Sequence, residues 1–189
     1  MPPAKELSGV KWVTRFPDAG ATSALANDFR PGCEAFIAAM RAGGANVSIS
    51  STRRPAERAF LMHFSWQIHK RTLNPQNVPT KAGINIEWVH RDANGAIDLD
   101  ASRKAATAMV NGYNIAFRPA LASRRTEGRA IDMTISWTGK LNVKKKNGLL
   151  TTISGAPRNG SNTELQSVGR TYGVKKNAKD PPHWSTDGH

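Results

Sequence analysis

The sequence predicts an α+β fold in which about four helices flank a central, mainly antiparallel sheet. Apolar residues recur at helical spacing in several segments, and they alternate with polar residues in others. Asn147-Gly148, between two strand-like segments, is a strong signal for a two-residue antiparallel hairpin. The length of 189 residues, with no internal repeat or low-complexity linker, predicts a single domain over 1–189.

The first two predicted helices have clear starts and apolar faces. The first starts near Pro31, where the missing N–H of proline has no cost, and ends at Gly43-Gly44. Its apolar face, at spacing i, i+3, i+4 and i+7, consists of Cys33, Phe36, Ile37 and Met40. The second is predicted from Pro55 to about Leu73. Its buried side is expected to be Phe60, Leu61, Phe64 and Ile68.

Two further helices are predicted from capping residues. Asp98 or Asp100 caps a third helix that runs to about Asn111. Its inward side chains are expected to be Ala105, Met109 and Tyr113. The segment 161–164 has the composition of a capping box and starts a fourth helix, which ends at Gly173.

The strands are predicted from alternation of apolar and polar residues. Segments 46–51 and 84–88 alternate in this way, and a last strand is expected to start at Val174 and to carry Asp180 and His183. Ile131, Met133 and Ile135 alternate with polar residues, which predicts that Asp132 lies on the polar face of a strand.

The charge of the chain predicts a polyanionic partner. Lys and Arg number 27 against 14 Asp and Glu, a net charge of +13. Nucleic acid, lipopolysaccharide, teichoic acid and peptidoglycan carboxylates all have the required charge. Nucleic acid is the weakest candidate, because the sequence has no zinc-finger spacing, no RNP-type motif and no interleaving of aromatic and basic residues.

The apolar segments are too short for a membrane span or a signal peptide. No apolar core follows residues 1–6, and the longest apolar run, 35–40, is well short of a transmembrane helix. Synthesis in the cytoplasm without a signal peptide is therefore expected. The single cysteine, Cys33, is expected to be a buried, inert thiol.

Two distant segments together form a recognisable pattern. The first is Ser123-Arg-Arg-Thr-Glu-Gly-Arg-Ala-Ile-Asp132, and the second is Asp180-Pro-Pro-His-Trp184. They resemble the zinc D-Ala-D-Ala and L-Ala-D-Glu peptidases of the Hedgehog/DD-peptidase fold, most closely their phage-endolysin branch. That family has Ser-x-His-x-x-Gly-x-Ala-x-Asp followed by an acid, two residues and His-Trp. Every fixed position matches except one, because Arg125 stands where the family has its first zinc-binding histidine.

The resemblance implies roles for the matching residues. Asp132 and His183 correspond to two of three zinc ligands, and Asp180 to the general base. Arg54, at a strand end before a helix, corresponds to an arginine that binds a substrate carboxylate. The other interpretation is a solvated arginine at a helix N-terminus, where a cation gains nothing from the helix dipole. The substrate-binding set implied by the family is Arg54, Ser123 and Trp184, where Ser123 either fixes the turn or contacts substrate and Trp184 packs beside the site.

Arg125 decides what this site can do. Its guanidinium is always protonated and has no acceptor atom, so it cannot ligate a metal. We expect Arg125 to pair with Asp132, with Asp180 as the alternative partner, and we expect little or no Zn²⁺ and little hydrolysis. His90 has three interpretations: a substrate contact in the cleft, a replacement ligand or a hydrogen-bonded structural residue. His189 is expected to be mobile.

Two functions follow from the resemblance. The first is a peptidoglycan hydrolase that cuts the stem peptide, acts on the cell wall after release or export, and is impaired in this form by Arg125. The alternative is a non-catalytic protein that binds peptidoglycan. The expected partners are stem peptides and anionic envelope polymers, and the expected state is a monomer without a separate cell-wall-binding module.

Overall fold

The computed structural model describes residues 4–189 and confirms the α+β class. The helices are α1 (Arg30–Ala42), α2 (Ala56–His69), α3 (Leu99–Gly112) and α4 (Thr163–Thr171). The strands are β1 (Glu6–Leu7), β2 (Asn46–Ser51), β3 (Ile86–Glu87), β4 (His90–Arg91), β5 (Ile97–Asp98), β6 (Ala130–Ser136), β7 (Leu141–Lys144), β8 (Leu150–Ile153), β9 (Lys175–Lys176) and β10 (His183–Ser185). Within the described range, no helix has the length and apolar character needed to cross a bilayer.

The chain divides into two compact units, each made of two separate segments. The helical unit contains residues 4–17 and Pro55–Ala122, and the sheet unit contains Asp18–Arg54 and Ser123–His189. The expectation of one domain came from length and composition, and no sequence pattern predicted this division. All of the matching zinc-peptidase positions named above lie in the sheet unit.

The helical unit is built on the packing of α2 against α3. Asp98 is the cap of α3, because its Oδ1 accepts a hydrogen bond of 2.8 Å from the N–H of Ala101. Ala106 is buried on α3 in place of the predicted Ala105. The buried core of the helical unit contains Trp12, Phe60, Leu61, Met62, Phe64, Ile68, Ile86, Trp88, Ala106, Met109 and Tyr113.

Two elements of the helical unit are shorter than predicted. Helix α2 ends at His69 and not at Leu73, because Arg71 adopts a left-handed conformation (φ 59°) that ends the helix. The strand predicted over 84–88 is reduced to β3, which pairs in parallel with β1. His90 is hydrogen-bonded, with its Nε2 3.0 Å from the Ser8 hydroxyl, as expected for a structural histidine.

The sheet unit contains a four-stranded antiparallel sheet with strand order β2-β6-β10-β9. Helices α1 and α4 belong to this unit, whereas α2 and α3 belong to the other. The predicted number of four α-helices is confirmed for residues 4–189, and their arrangement around one sheet stays a prediction. Its core brings together one side of the sheet, α1, α4 and the β7–β8 hairpin. The apolar face predicted for α1 is buried in full, at Cys33, Phe36, Ile37 and Met40.

Three boundaries in the sheet unit differ from the predictions. The β7–β8 hairpin forms at Asn147-Gly148, but Lys145 and Leu149 close a three-residue loop in which Gly148 has φ 86°, not a two-residue turn. The cap of α4 is Asn162, whose Oδ1 accepts from the N–H groups of Glu164 and Leu165. The predicted last strand is two strands, β9 and β10.

Candidate functional site

The strand register places Asp132 and His183 side by side. The two residues are direct cross-strand partners between β6 and β10, so their side chains lie on the same side of the sheet. His183 Nδ1 is 2.9 Å from Asp132 Oδ1. The next pair in the register, Trp184 and Ile131, lies on the opposite side, in the core.

A β-bulge lies opposite Asp132 on the other neighbouring strand. Ile49 pairs with Met133 and Ser51 with Asp132, which leaves Ser50 as an extra residue in β2. The Ser50 hydroxyl donates to the Asp132 carbonyl at 3.2 Å. Bulges re-aim side chains, and this one fixes the backbone at the residue on which the site is centred.

A single tight turn brings Arg125 to this position. Thr126 and Ser123 hydrogen-bond to each other through side chain and backbone, and the Arg125 carbonyl accepts from the N–H of Arg54 at 2.9 Å. Gly128 has φ 71°, and a β-carbon there would lie 3.1 Å from backbone atoms of residues 24 and 26. The turn therefore requires glycine both for its conformation and for the close approach.

Arg125 contacts both candidate carboxylates at once. Its Nε and Nη2 donate to Asp132 at 3.2 and 3.0 Å, and Nη2 also donates to Asp180 Oδ2 at 2.7 Å. The sequence predicted one of these partners with the other as an alternative. One guanidinium therefore lies between two carboxylates, beside His183.

The ion pairs more than offset the cost of burial for Arg125. Burial disfavours its charged form, but the attraction of Asp132 and the hydrogen bonds with both carboxylates raise the pKa of Arg125 above its usual value. Burial likewise acts to raise the pKa of Asp132, yet the hydrogen bond with His183 and the charge of Arg125 lower it below its usual value. Both groups are held in their charged forms.

Lys176 supports the segment that carries Asp180 and His183. Its Nζ donates to the carbonyls of Asp180 at 2.7 Å and His183 at 3.3 Å, and also to that of Asn177. Burial lowers the pKa of Lys176, against the attraction of Asp180 and Asp132. No sequence pattern singled out this lysine, because its partners are backbone groups of a loop.

A cleft of about 440 Å³ lies at this site. It is lined by Ser123, Arg124, Arg125, Glu127, His183 and His189. The main-chain oxygen of His189 accepts from His183 Nε2 at 3.0 Å, and the mobility expected for His189 stays a prediction. Arg124 bonds to Asp187 Oδ2 at 2.7 Å and fixes the same C-terminal segment.

The predicted substrate-binding residues have different surroundings. Arg54 already pairs with a carboxylate, that of Asp18, at 3.3 and 3.4 Å. Ser123 hydrogen-bonds within its turn and also lines the cleft. Trp184 is 0% exposed and packs against Phe36. The prediction that Trp184 contacts substrate is therefore wrong, and its role is to pack in the core.

The residues at this site do not fit a zinc ion. Asp132 and His183 supply two donors, and the place expected for the third is filled by a cation that donates hydrogen bonds to the same carboxylate. Within residues 4–189, no cluster of three or more His, Cys, Asp or Glu side chains is arranged to hold a metal.

Comparison with known proteins gives no match, either to a family model or to a curated protein.

The structure brings together four of the predicted residues, Arg125, Asp132, Asp180 and His183, which come from two distant segments of the sequence. Arg54 reaches the same turn through its backbone, but its guanidinium bonds to Asp18. Asp18, Lys176 and Asp187 support the site and were not predicted from the sequence.

Proposed function

We propose that this chain is a peptidoglycan hydrolase of the zinc-peptidase type, specific for the stem peptide, that is catalytically disabled in the form with Arg125. One observation carries the proposal: Arg125 bridges Asp132 and Asp180 next to His183. This is the position that the family pattern gives to the first histidine ligand. The Hedgehog/DD-peptidase fold is part of the proposal, supported by the antiparallel pairing that joins the strands of Asp132 and His183.

Arg125 blocks the site in two ways. It supplies no ligand atom, and it places a positive charge where a divalent cation would have to bind. It also engages Asp180 at 2.7 Å, so the carboxylate proposed as the general base is held in an ion pair.

The alternative function is a non-catalytic protein that binds peptidoglycan. The observation in its favour is that the cluster is already satisfied, with each carboxylate of Asp132 and Asp180 paired to a cation. The adjacent cleft of about 440 Å³ is large enough for part of a peptide and has Arg124 and Arg125 on its lining.

The replacement Arg125→His tests the proposal directly. We expect it to bind one zinc per chain and to raise the release of fragments from purified peptidoglycan on the order of 10²-fold or more, because a bound metal contributes several kcal/mol to the reaction. Metal content is measured on purified protein, and hydrolysis by chromatography of the soluble fragments.

Two variants serve as controls. Arg124→His makes the same change one residue away, at a side chain that bonds to Asp187 and Glu127, and should gain neither zinc nor activity. Arg125→Gln removes the charge without supplying an imidazole and should also stay inactive. If Arg125→His binds zinc yet releases no fragments, and the parent chain sediments with intact peptidoglycan, the hydrolase proposal is wrong and the binding function is correct.

A further inference from the structure

The tip of the β7–β8 hairpin exposes apolar and cationic side chains together. We call residues 144–150 the hairpin tip. Leu149 and Leu150 are 63% and 61% exposed, although leucine is normally buried. They follow three consecutive lysines, Lys144 to Lys146, with only Asn147 and Gly148 in between.

The strand register explains why Lys144 and Leu150 share a surface. Lys144 and Leu150 are direct cross-strand partners, so their side chains lie on the same face of the hairpin. That face is exposed at both positions, whereas Val143 and Ile153 are buried in the core. Lys144 and Leu150 thus lie on an exposed face of the hairpin, and Val143 and Ile153 attach the hairpin to the core.

The lysines of the tip have no acidic partner in the part of the chain that the structure describes. Among the ion pairs of residues 4–189, none involves Lys144, Lys145 or Lys146. The surrounding segment, residues 137–179, has nine Lys and Arg against one Glu, so it holds a net +8 of the chain's +13. Such a concentration of positive charge favours an anionic surface.

The hairpin tip is held in a fixed conformation. The N–H of Lys146 donates to the Thr171 hydroxyl at 3.1 Å, and the Tyr172 hydroxyl donates to the Lys144 carbonyl at 2.8 Å. Both partners lie at the C-terminal end of α4. The exposed leucines are therefore presented by an ordered element and are not part of a disordered loop.

From these observations we infer that the hairpin tip docks onto a bilayer containing anionic phospholipid. The lysines bind the phosphate groups, and Leu149 and Leu150 enter the boundary between headgroups and acyl chains. A soluble polyanion or a glycan would satisfy the lysines but would leave both leucines in water. The inference does not depend on the proposed function, because membrane binding needs neither zinc nor a peptidase site.

Sedimentation with vesicles provides the first test. We expect the chain to bind vesicles of phosphatidylglycerol and phosphatidylethanolamine and not vesicles of phosphatidylcholine. Replacing Lys144, Lys145 and Lys146 by Gln should weaken binding about 100-fold, since each lysine near an anionic surface contributes about fivefold. The pair Leu149→Ser and Leu150→Ser should weaken it at least about tenfold.

A charge-matched control lies in the helical unit. Replacing Lys70, Arg71 and Lys104 by Gln removes the same three charges from another surface and should change binding little. Equal losses from the two triple replacements would overturn the inference, because binding would then follow net charge alone. Weaker vesicle binding by the lysine variant, with unchanged binding by the leucine variant, would also overturn the inference. The tip would then contact a polyanion through charge alone.

A polarity-sensitive dye tests insertion independently of affinity. Leu149→Cys offers a single labelling position, because the natural thiol, Cys33, is 0% exposed and burial raises its pKa to about 12. A dye there should shift to the blue on addition of anionic vesicles. The same dye on Phe117→Cys, at an 85% exposed position of the helical unit, should not shift. No shift at 149 in sedimented protein would show that the tip stays in water.

Discussion

The Arg125 site and the hairpin tip are two cationic regions of one sheet unit, and they differ in whether their cations are paired with carboxylates. At the site, Arg125 is partly buried and bonds to Asp132 and Asp180. At the tip, Lys144 to Lys146 face solvent or lie near it, and none of them has a carboxylate partner among residues 4–189. The difference separates charge that maintains the fold from charge that remains available to a partner.

The surroundings of each region explain this difference. A partly buried guanidinium is costly unless its donors are satisfied, so Arg125 depends on its two carboxylates. An exposed lysine keeps its hydration and needs no partner. Removing charge should therefore destabilise the fold at the site, whereas at the tip it should alter binding alone.

The replacement Asp132→Asn should have the largest effect on stability. It leaves Arg125 with one carboxylate and removes the negative charge beside His183, so the free energy of unfolding should fall by about 3 kcal/mol, as for other broken buried pairs. Denaturation in urea measures this loss. Combining Asp132→Asn with Arg125→Met shows whether this loss comes from the ion pair between the two residues. If it does, the free energy of unfolding of the double variant should fall by less than the sum of the losses in the two single variants.

The matched control is Asp28→Asn, which removes a carboxylate that pairs with Arg129 at the surface. Exposed pairs contribute little, so its urea midpoint should stay close to that of the parent chain. Equal losses at Asp28 and Asp132 would contradict the distinction between buried and exposed charge.

Much of this arrangement could be predicted from the sequence, because short-range periodicity determines it. The polar position of Asp132 within an alternating strand is observed, and so is the buried face of α1. These two features depend on side-chain types at fixed offsets, which a sequence displays. The proximity of Arg125 to Asp132 and Asp180 was expected only from the family resemblance of the two pattern segments, and both contacts are observed.

The remaining features depend on backbone partners that a sequence does not display. The bulge at Ser50 results from pairing between strands more than 80 residues apart. Lys176 bonds to carbonyl groups, and every residue type supplies a carbonyl. The pairing of Arg54 with Asp18 was likewise missed, because no local pattern links the two residues.

An intermediate effect is expected from Lys176→Met. This replacement keeps an apolar stem but removes the donor that ties the segment 177–183 together, at a cost of about 1 kcal/mol. Hydrogen exchange should become faster in that segment, which carries Asp180. Lys175→Met, at the exposed neighbouring position, should leave exchange unchanged. Unchanged exchange in both variants would show that the loop is held by its other contacts.

The smallest effect, on acid stability, comes from Asp187 at the edge of the paired region. Burial acts against its charged form, but the Arg124 guanidinium, the His189 backbone and Ser185 lower its pKa from 3.8 to about 2. Because the folded value lies below the unfolded one, this stabilisation is complete above about pH 4 and is lost as the pH falls toward 2. Unfolding in urea at several pH values should give Asp187→Asn a shallower loss than the parent chain over this window. Asp100→Asn, at a carboxylate that is 92% exposed, should follow the parent curve. Parallel curves for Asp187→Asn and the parent would show that Asp187 gains nothing from Arg124, and the paired region would then end at Arg125.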